Sequence, residues 1–163
     1  MRVLLCCLLV LVTTTTLAPT SEDLRQMYGA SANVVLRRDG TPNSESFLLS
    51  PNIKLTVQYG SDKQACIMTL EPEASQEREE HGEQVMSSIR ISEILEQVAP
   101  ADKRGEKPRD GSSGISCAGS IGVWFENYAN VYIRHDLRCG EGPNSEKRVR
   151  VNFKREVCPK FER

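Results

Sequence analysis

The sequence predicts an α+β fold in which two short helices pack on a mainly antiparallel, twisted sheet of five to six strands, braced by disulfides. Two segments place apolar residues at helical spacing, and several others alternate apolar and polar residues as strands do. Four cysteines follow an apolar leader, a pattern typical of disulfide-bonded exported domains. A helix precedes each group of predicted strands, which suits a layered α+β arrangement.

The leader, residues 1–20, has the features of a secretory signal peptide. Arg2 supplies a positive charge, and residues 3–12 form an unbroken apolar run. A membrane span needs about 20 apolar residues, so this shorter run fits a signal peptide better. The mature chain is expected to start between Ala18 and Glu22, with an uncleaved anchor as the alternative. We therefore expect a secreted or periplasmic protein with no membrane span in the mature chain.

Residues 21–163 are predicted to form a single domain. Without Arg2 the chain carries 20 basic and 22 acidic side chains. This near balance gives no argument for a nucleic-acid partner or for an anionic membrane. The stretches 73–84 and 102–114 lack large apolar residues, so we expect a mobile acidic loop and a polar basic loop there.

The first half of the domain is predicted to begin with a helix at Ser21–Gly29. A capping serine, acidic residues in the first turn and a terminal glycine are the signals. Asn33–Arg38 is expected to form a strand, and Asp39–Ser46 consists of residues typical of loops.

A hairpin is predicted next, because Ile53–Tyr59 alternates cleanly and Gln64–Leu70 returns after a turn. Pairing Tyr59 with Gln64 brings Val57 opposite Cys66. This register keeps the apolar residues on one face and turns Cys66 toward the core.

The second half contains the strongest predicted helix, Ser87–Pro100, in which Ser87 or Ser88 can cap an apolar stripe that ends at a proline. The last predicted strand is Lys147–Glu156. Its inward residues are Val149, Val151 and Phe153, and its outward basic residues are Arg148, Arg150 and Lys154. Such a basic row is expected to keep an exposed or edge strand soluble, and contact with an anionic partner is the alternative.

A second hairpin is predicted around the turn Glu126–Asn130. To place apolar residues of both strands on one face, Phe125 must oppose Val131. The same register puts Trp124 opposite Tyr132 on the other face, with Arg134 next along. An aromatic pair beside an arginine is typical of binding hot spots, so Trp124, Tyr132 and Arg134 are the predicted binding residues. The alternative is that a helix covers this face and buries Trp124.

Extending this register outward brings Cys117 opposite Cys139. Residues that are directly opposed at a non-hydrogen-bonded position lie about 4.5 Å apart at Cα, at the short end of the range that a disulfide can span. Cys66 would then pair with Cys158. Four cysteines allow three pairings, and glycines near Cys117 leave a shift of register open.

The sequence predicts no catalytic residue, no metal site and no cofactor. His135 and Asp136 are neighbours on a strand, so their side chains leave opposite faces and cannot form a dyad. We expect His135 to be packed in the structure. The zinc-ligand, nucleophile-elbow and phosphate-loop motifs are absent from the sequence.

The function expected from these observations is that of an exported, non-enzymatic binding module whose partner is an extracellular or envelope protein. An inhibitor of an extracellular hydrolase is one variant. A structural, envelope-associated domain without a discrete ligand is the alternative, and a secreted enzyme is less favoured.

Overall fold

A computed structural model describes residues 18–49, 52–73, 86–107, 116–118, 121–139 and 145–159. Its elements are α1 (Ser21–Tyr28), β1 (Asn33–Leu36), β2 (Pro42–Leu49), β3 (Ile53–Tyr59), β4 (Ala65–Pro72), α2 (Ser88–Val98), α3 (Ala101–Arg104), β5 (Ser116–Ala118), β6 (Ile121–Asn127), β7 (Val131–Arg138) and β8 (Ser145–Phe153). The leader before Ala18, all but the first residue of the predicted acidic loop, and much of the predicted basic loop lie outside the described residues.

The eight strands in the described part of the chain form one antiparallel sheet, in the order β1-β2-β3-β4-β8-β7-β6-β5. Two four-stranded meanders meet where β4 pairs with β8. The α+β class is therefore confirmed. The sheet has more than the predicted five to six strands, because Asp39–Ser46, predicted to be a loop, contains five of the eight residues of β2, and because Ser116–Ala118 forms the separate strand β5.

The helices begin and end at residues that satisfy their free backbone groups. Thr20 caps α1 in place of Ser21: its hydroxyl accepts from the Asp23 N–H at 3.2 Å, and the Asp23 carboxylate accepts from the Thr20 N–H at 2.8 Å. Ser87 caps α2 by accepting from the Arg90 N–H at 3.3 Å. No helix in the described residues is long and apolar enough to cross a bilayer.

Helices α1 and α2 pack on one side of the sheet, which we call the inner face, and α3 lies beside the β6–β7 turn, where the Asn130 N–H donates to the Arg104 carbonyl at 2.9 Å. The apolar residues of α2 that pack there are Ile91, Ile94, Leu95 and Val98, and α1 contributes Leu24. The strand residues that meet them include Phe47, Ile53, Leu55, Met68, Leu70, Ile133, Val149, Val151 and Phe153. Burial of each such side chain stabilises the fold by about 1.5–3 kcal/mol. No described helix packs on the opposite side, the outer face.

The predicted register of the β3–β4 hairpin is wrong by two residues. Val57 pairs with Met68 and not with Cys66. The register changes by one residue between Gln58 and Tyr59, close to the turn, so that Gln58 pairs with Ile67 and Tyr59 pairs with Ala65. Because the shift is even, the same residues face the core, and Cys66 is buried as expected.

The predicted register of the β6–β7 hairpin is also wrong, and here the shift is odd. Phe125 pairs with Arg134 and not with Val131. The turn is tighter than predicted, because the Tyr128 N–H donates to the Val131 carbonyl at 2.8 Å. A shift of three residues exchanges the faces of β6, so Val123 and Phe125, predicted to point inward, lie on the outer face.

A disulfide joins Cys66 to Cys158 with a Cα–Cα distance of 5.2 Å, which is the predicted pairing. Cys139 is disulfide-bonded too. The side chain of Cys117 lies outside the description, so the predicted Cys117–Cys139 pair stays a prediction. The predicted register that placed Cys117 directly opposite Cys139 is wrong, because Cys117 lies on the separate strand β5 and pairs with Gly122.

Candidate functional site

The structure divides the three predicted binding residues between the two faces of the sheet. Trp124 pairs with His135 on the inner face. Tyr132 and Arg134 lie on the outer face, where Tyr132 pairs with Asn127. The predicted opposition of Trp124 and Tyr132 is therefore wrong, as a consequence of the odd register shift. Two separate candidate sites follow, one on each face.

The outer site, which we call the outer patch, consists of Phe125, Tyr132, Arg134, Arg150 and Asn152. The rings of Phe125 and Tyr132 are 5.6 Å apart. The guanidinium carbon of Arg134 lies 6.0 Å from the centre of the Phe125 ring, within the range of a cation–π contact. An aromatic pair beside an arginine is thus present on the outer face, but it contains Phe125 and not Trp124, and Phe125 lies opposite Arg134 and diagonal to Tyr132.

Arg150 stands at the centre of the sheet, because β8 lies between β4 and β7. It is flanked by Thr69 on one side and by Arg134 on the other. The basic row therefore does not mark an edge strand, although Arg148 and Lys154 are exposed, as the other half of the prediction has it. Two arginines directly opposite each other repel, so this pair concentrates positive charge in the outer patch.

Two donors of the outer patch lack acceptors. The Nε of Arg150 and the Nδ2 of Asn152 are buried and have no hydrogen-bond partner in the part of the chain that the structure describes. Asn152 is only 7% exposed. A buried donor without a partner costs about 1–3 kcal/mol, so an acceptor that reached these atoms after a shift of the neighbouring side chains would be bound favourably.

The neighbouring basic groups have acidic partners. Arg134 donates from Nε to the Asp136 carboxylate at 2.7 Å. Arg148 and Lys54 both approach Glu71, at 3.6 Å and 3.8 Å. Arg150 differs from them, because no ion pair joins it to a described residue.

The inner site is a cleft of about 300 Å³ between α2 and the strands β6, β7 and β8. The wall formed by α2 has the helical spacing i, i+3, i+4, i+7 and consists of Ser88, Ile91, Ser92 and Leu95. The two serines are exposed, whereas Ile91 and Leu95 are buried and form an apolar floor.

The opposite wall of the cleft is centred on His135, which is 2% exposed. Its Nδ1 lies 2.9 Å from a Glu146 carboxylate oxygen, and its Nε2 lies 3.3 Å from a Glu126 oxygen. Both partners are acceptors, so the protonated imidazole satisfies them best. The ring of half-buried Trp124 lies 4.5 Å from the imidazole at an interplanar angle of 33°.

The electrostatic surroundings of this histidine favour its charged state. Burial alone lowers the pKa of His135, but the hydrogen bonds and charges of Glu126 and Glu146 outweigh burial and raise the pKa to about 9. The hydrogen bond from His135, aided by one from the Tyr128 hydroxyl, holds the pKa of Glu126 below its usual range. Because both ring nitrogens are occupied, this imidazolium cannot accept a proton as a general base in this arrangement.

Arg104 lines one end of the cleft and is 8% exposed. It donates from Nε to the Ala99 carbonyl at the end of α2 and from Nη2 to the Glu96 carboxylate, both at 2.7 Å. No group of three or more His, Cys, Asp or Glu side chains among the described residues could hold a metal ion. The two ring nitrogens of His135 point toward different glutamates, so His135, Glu126 and Glu146 do not surround one position where a metal ion could bind.

Sequence reasoning missed Phe125, Glu126, Glu146 and Asn152 as site residues. If the prediction had assumed the shorter turn, the alternation of side chains along β6 and β7 would have placed Glu126 and His135 on the same face. The sequence therefore carried a signal for this contact. The contact of Glu146 with His135 depends on an irregularity in the β7–β8 pairing, for which the sequence carries no local signal.

No protein-family model and no curated protein matches the chain. Among solved structures, the chain is similar to a DUF4309 family protein, YjgB, from Bacillus subtilis subsp. subtilis str. 168. The identity is 12%, the match covers 83% of this chain and 78% of that chain, and the TM-score is 0.41. A likeness of this degree carries no argument about function.

Proposed function

We propose that the protein is an exported, non-enzymatic interaction protein that binds an acidic segment of an extracellular or envelope protein through the outer patch. The observation that carries the proposal is the pair of buried donors without acceptors, Arg150 Nε and Asn152 Nδ2, on a sheet face that no described helix covers.

A carboxylate is the group that best satisfies this patch. The planar fork of an arginine guanidinium matches a carboxylate in a bidentate arrangement, and such charge-assisted bonds are about twice as strong as neutral ones. Arg134 adds positive charge beside Arg150. The tilted pair of Phe125 and Tyr132 offers the aromatic surface that anchors many protein interfaces. A protein segment with acidic side chains supplies both the carboxylate and the apolar contact.

The chemistry of the cysteines supports export. Cys66, Cys139 and Cys158 are all disulfide-bonded, a state typical of oxidising compartments. The end of the predicted leader contributes to the fold, since Ala18 is fully buried and Thr20 caps α1. Cleavage before Ala18 would keep both contacts in the mature protein.

A structural domain without a discrete ligand is the competing function. It requires no acceptor for Arg150, and it predicts that substitutions on the outer face change stability alone. A secreted enzyme is disfavoured by the state of His135, whose two nitrogens are both committed to glutamates.

The test is the affinity of the purified exported protein for fluorescent peptides rich in glutamate or aspartate, measured by anisotropy. Arg150→Gln should weaken binding about tenfold or more, because hydrogen bonds to charged groups contribute about 1.5–3 kcal/mol. Arg148→Gln removes the same charge from an exposed neighbour that pairs with Glu71, and it should weaken binding much less. Equal losses in the two variants, or no saturable binding of either peptide, would contradict the proposal.

A further inference from the structure

The cleft between α2 and β6–β8 lies on the inner face and plays no part in binding at the outer patch. Its volume of about 300 Å³ is at the lower end of the range of small-molecule sites. Ser88 and Ser92 are exposed at its helical wall, and Trp124 is half-buried at the opposite wall. The cleft is therefore reachable from solvent and has an aromatic side.

Among the charged side chains that line the cleft, His135 and Arg104 are positive and Glu126 and Glu146 are negative, so their formal charges sum to zero while His135 is protonated. Protonated His135 lies between Glu126 and Glu146, and Arg104 forms an ion pair with Glu96 at 2.7 Å. Each charged side chain that lines the cleft has a described partner of opposite charge. A charged ligand would therefore have to leave water and then displace one of these partners. Breaking a buried pair is costly, so the cleft favours a neutral ligand.

The polar groups that remain can bond to hydroxyl groups. A carboxylate has about four lone-pair sites. Glu146, which is 8% exposed, uses only Oε2 in its described hydrogen bond. The hydroxyls of Ser88 and Ser92 can donate or accept, and the Trp124 indole N–H can donate. These groups match a ligand that carries several hydroxyls around a compact ring.

The apolar surfaces of the cleft match the other half of such a ligand. The His135 imidazole contacts one side of the Trp124 indole, and the negative face on the other side can attract the weakly positive hydrogens of C–H groups. Ile91 and Leu95 add aliphatic surface on the α2 side. Sugar rings combine C–H faces with peripheral hydroxyls in this way.

We infer that this cleft binds a neutral saccharide, with one ring between Trp124 and α2 and its hydroxyls on Glu146 and the two serines.

Trp124 is the one tryptophan of the chain, so its fluorescence reports on the cleft alone. The exported protein is titrated with glucose, galactose, mannose, N-acetylglucosamine and cellobiose. At least one of these should give a saturable change of Trp124 emission. A sugar with the same ring and a charged group, such as glucosamine or glucuronate, should bind at least about tenfold more weakly, a difference of about 1.4 kcal/mol.

Ser92→Phe fills the mouth of the cleft from an exposed position on α2 and should weaken the response about tenfold. Ile89→Phe is the matched control, since Ile89 is 76% exposed on the same helix and does not line the cleft. Circular dichroism confirms that both variants fold. The inference is overturned by the absence of a saturable response to every neutral sugar, by equal or tighter binding of the charged analogues, or by an unchanged response of Ser92→Phe. Each of these outcomes leaves the proposal for the outer patch intact, because the peptide-binding measurement tests that face separately.

Discussion

His135 is a positive charge held almost entirely out of water. Burial of an ionised group without partners costs much free energy. The carboxylates of Glu126 and Glu146 and the neighbouring Trp124 ring offset this cost for His135. The three charged residues come from β6, β7 and β8, so one imidazolium ties three strands together at the edge of the apolar core.

This arrangement predicts a loss of stability in alkaline solution. The pKa of His135 is raised to about 9 in the folded protein, against about 6.5 in the unfolded chain. Because its pKa is raised, protonated His135 stabilises the fold fully below about pH 6.5, and this contribution disappears as the pH rises to about 9. The free energy of unfolding should therefore fall by at most about 3 kcal/mol over this range.

Urea unfolding at steps of pH measures this slope. His135→Gln should abolish most of it and lower stability at pH 6, because a neutral side chain leaves two buried carboxylates poorly matched. His81, the other histidine of the chain, provides the control, and His81→Gln should keep the slope. A slope that survives in His135→Gln would show that another group is responsible.

At the scale of elements, local signals predicted α1 and α2 well but missed α3, which lies largely in the stretch predicted to be a polar basic loop. A cap is encoded next to each of these helices, first-turn acids are encoded in α1, and an apolar stripe is encoded in α2, so both helices lie within one or two residues of the predicted ranges. Strands β3 and β8 followed from alternation, since one face of each is buried in the core.

Strand β2 could not be predicted, because its polar residues are satisfied by distant parts of the chain. Glu45 is 1% exposed and accepts from Arg25 of α1 at 2.9 Å and from the Tyr59 hydroxyl of β3 at 2.7 Å. A sequence of proline, asparagine, serine and glutamate reads as a loop until those partners are known.

The register of β6–β7 failed for a related reason. The prediction assumed that the apolar side of β6 faces the core. In the structure the inner side of β6 carries Trp124 and Glu126, because it borders the cleft, and Val123 and Phe125 face outward. Alternation identifies two faces, but it does not say which face is covered when both carry large side chains.

The start of α2 gives a prediction at this scale. Ser87→Ala removes the side-chain acceptor of the Arg90 N–H and should lower the free energy of unfolding by about 1 kcal/mol. Ser88→Ala, one residue later, removes the same hydroxyl from an exposed position that caps nothing, and its effect should be close to zero. Thermal and urea unfolding of the two variants compare them directly, and equal effects would contradict Ser87 as the cap.

At the scale of the whole molecule, two meanders form one sheet through the β4–β8 pairing, and covalent and polar contacts reinforce that junction. Arg155, just after β8, donates from Nη2 to the carbonyls of Gln64 and Ala65 at 2.9 Å. It also pairs with Asp62 in the turn between β3 and β4. The C-terminal segment is thereby docked on the first meander beside the Cys66–Cys158 disulfide.

The Cys66–Cys158 bond joins residues separated by 92 positions, so it restricts a long loop of the unfolded chain. In the chain-entropy description, such a bond stabilises a protein by about 4–5 kcal/mol. The double variant Cys66→Ala/Cys158→Ala should lose most of this in urea unfolding while keeping the native circular dichroism spectrum, because Arg155 and the β4–β8 pairing still dock the segment. Arg155→Ala in the oxidised protein is the comparison, and its loss should be smaller, since the disulfide still restricts the unfolded chain. A double variant as stable as the parent protein would show that the bond adds nothing beyond these contacts, and a double variant that lost its native spectrum would show that the two meanders depend on it to assemble.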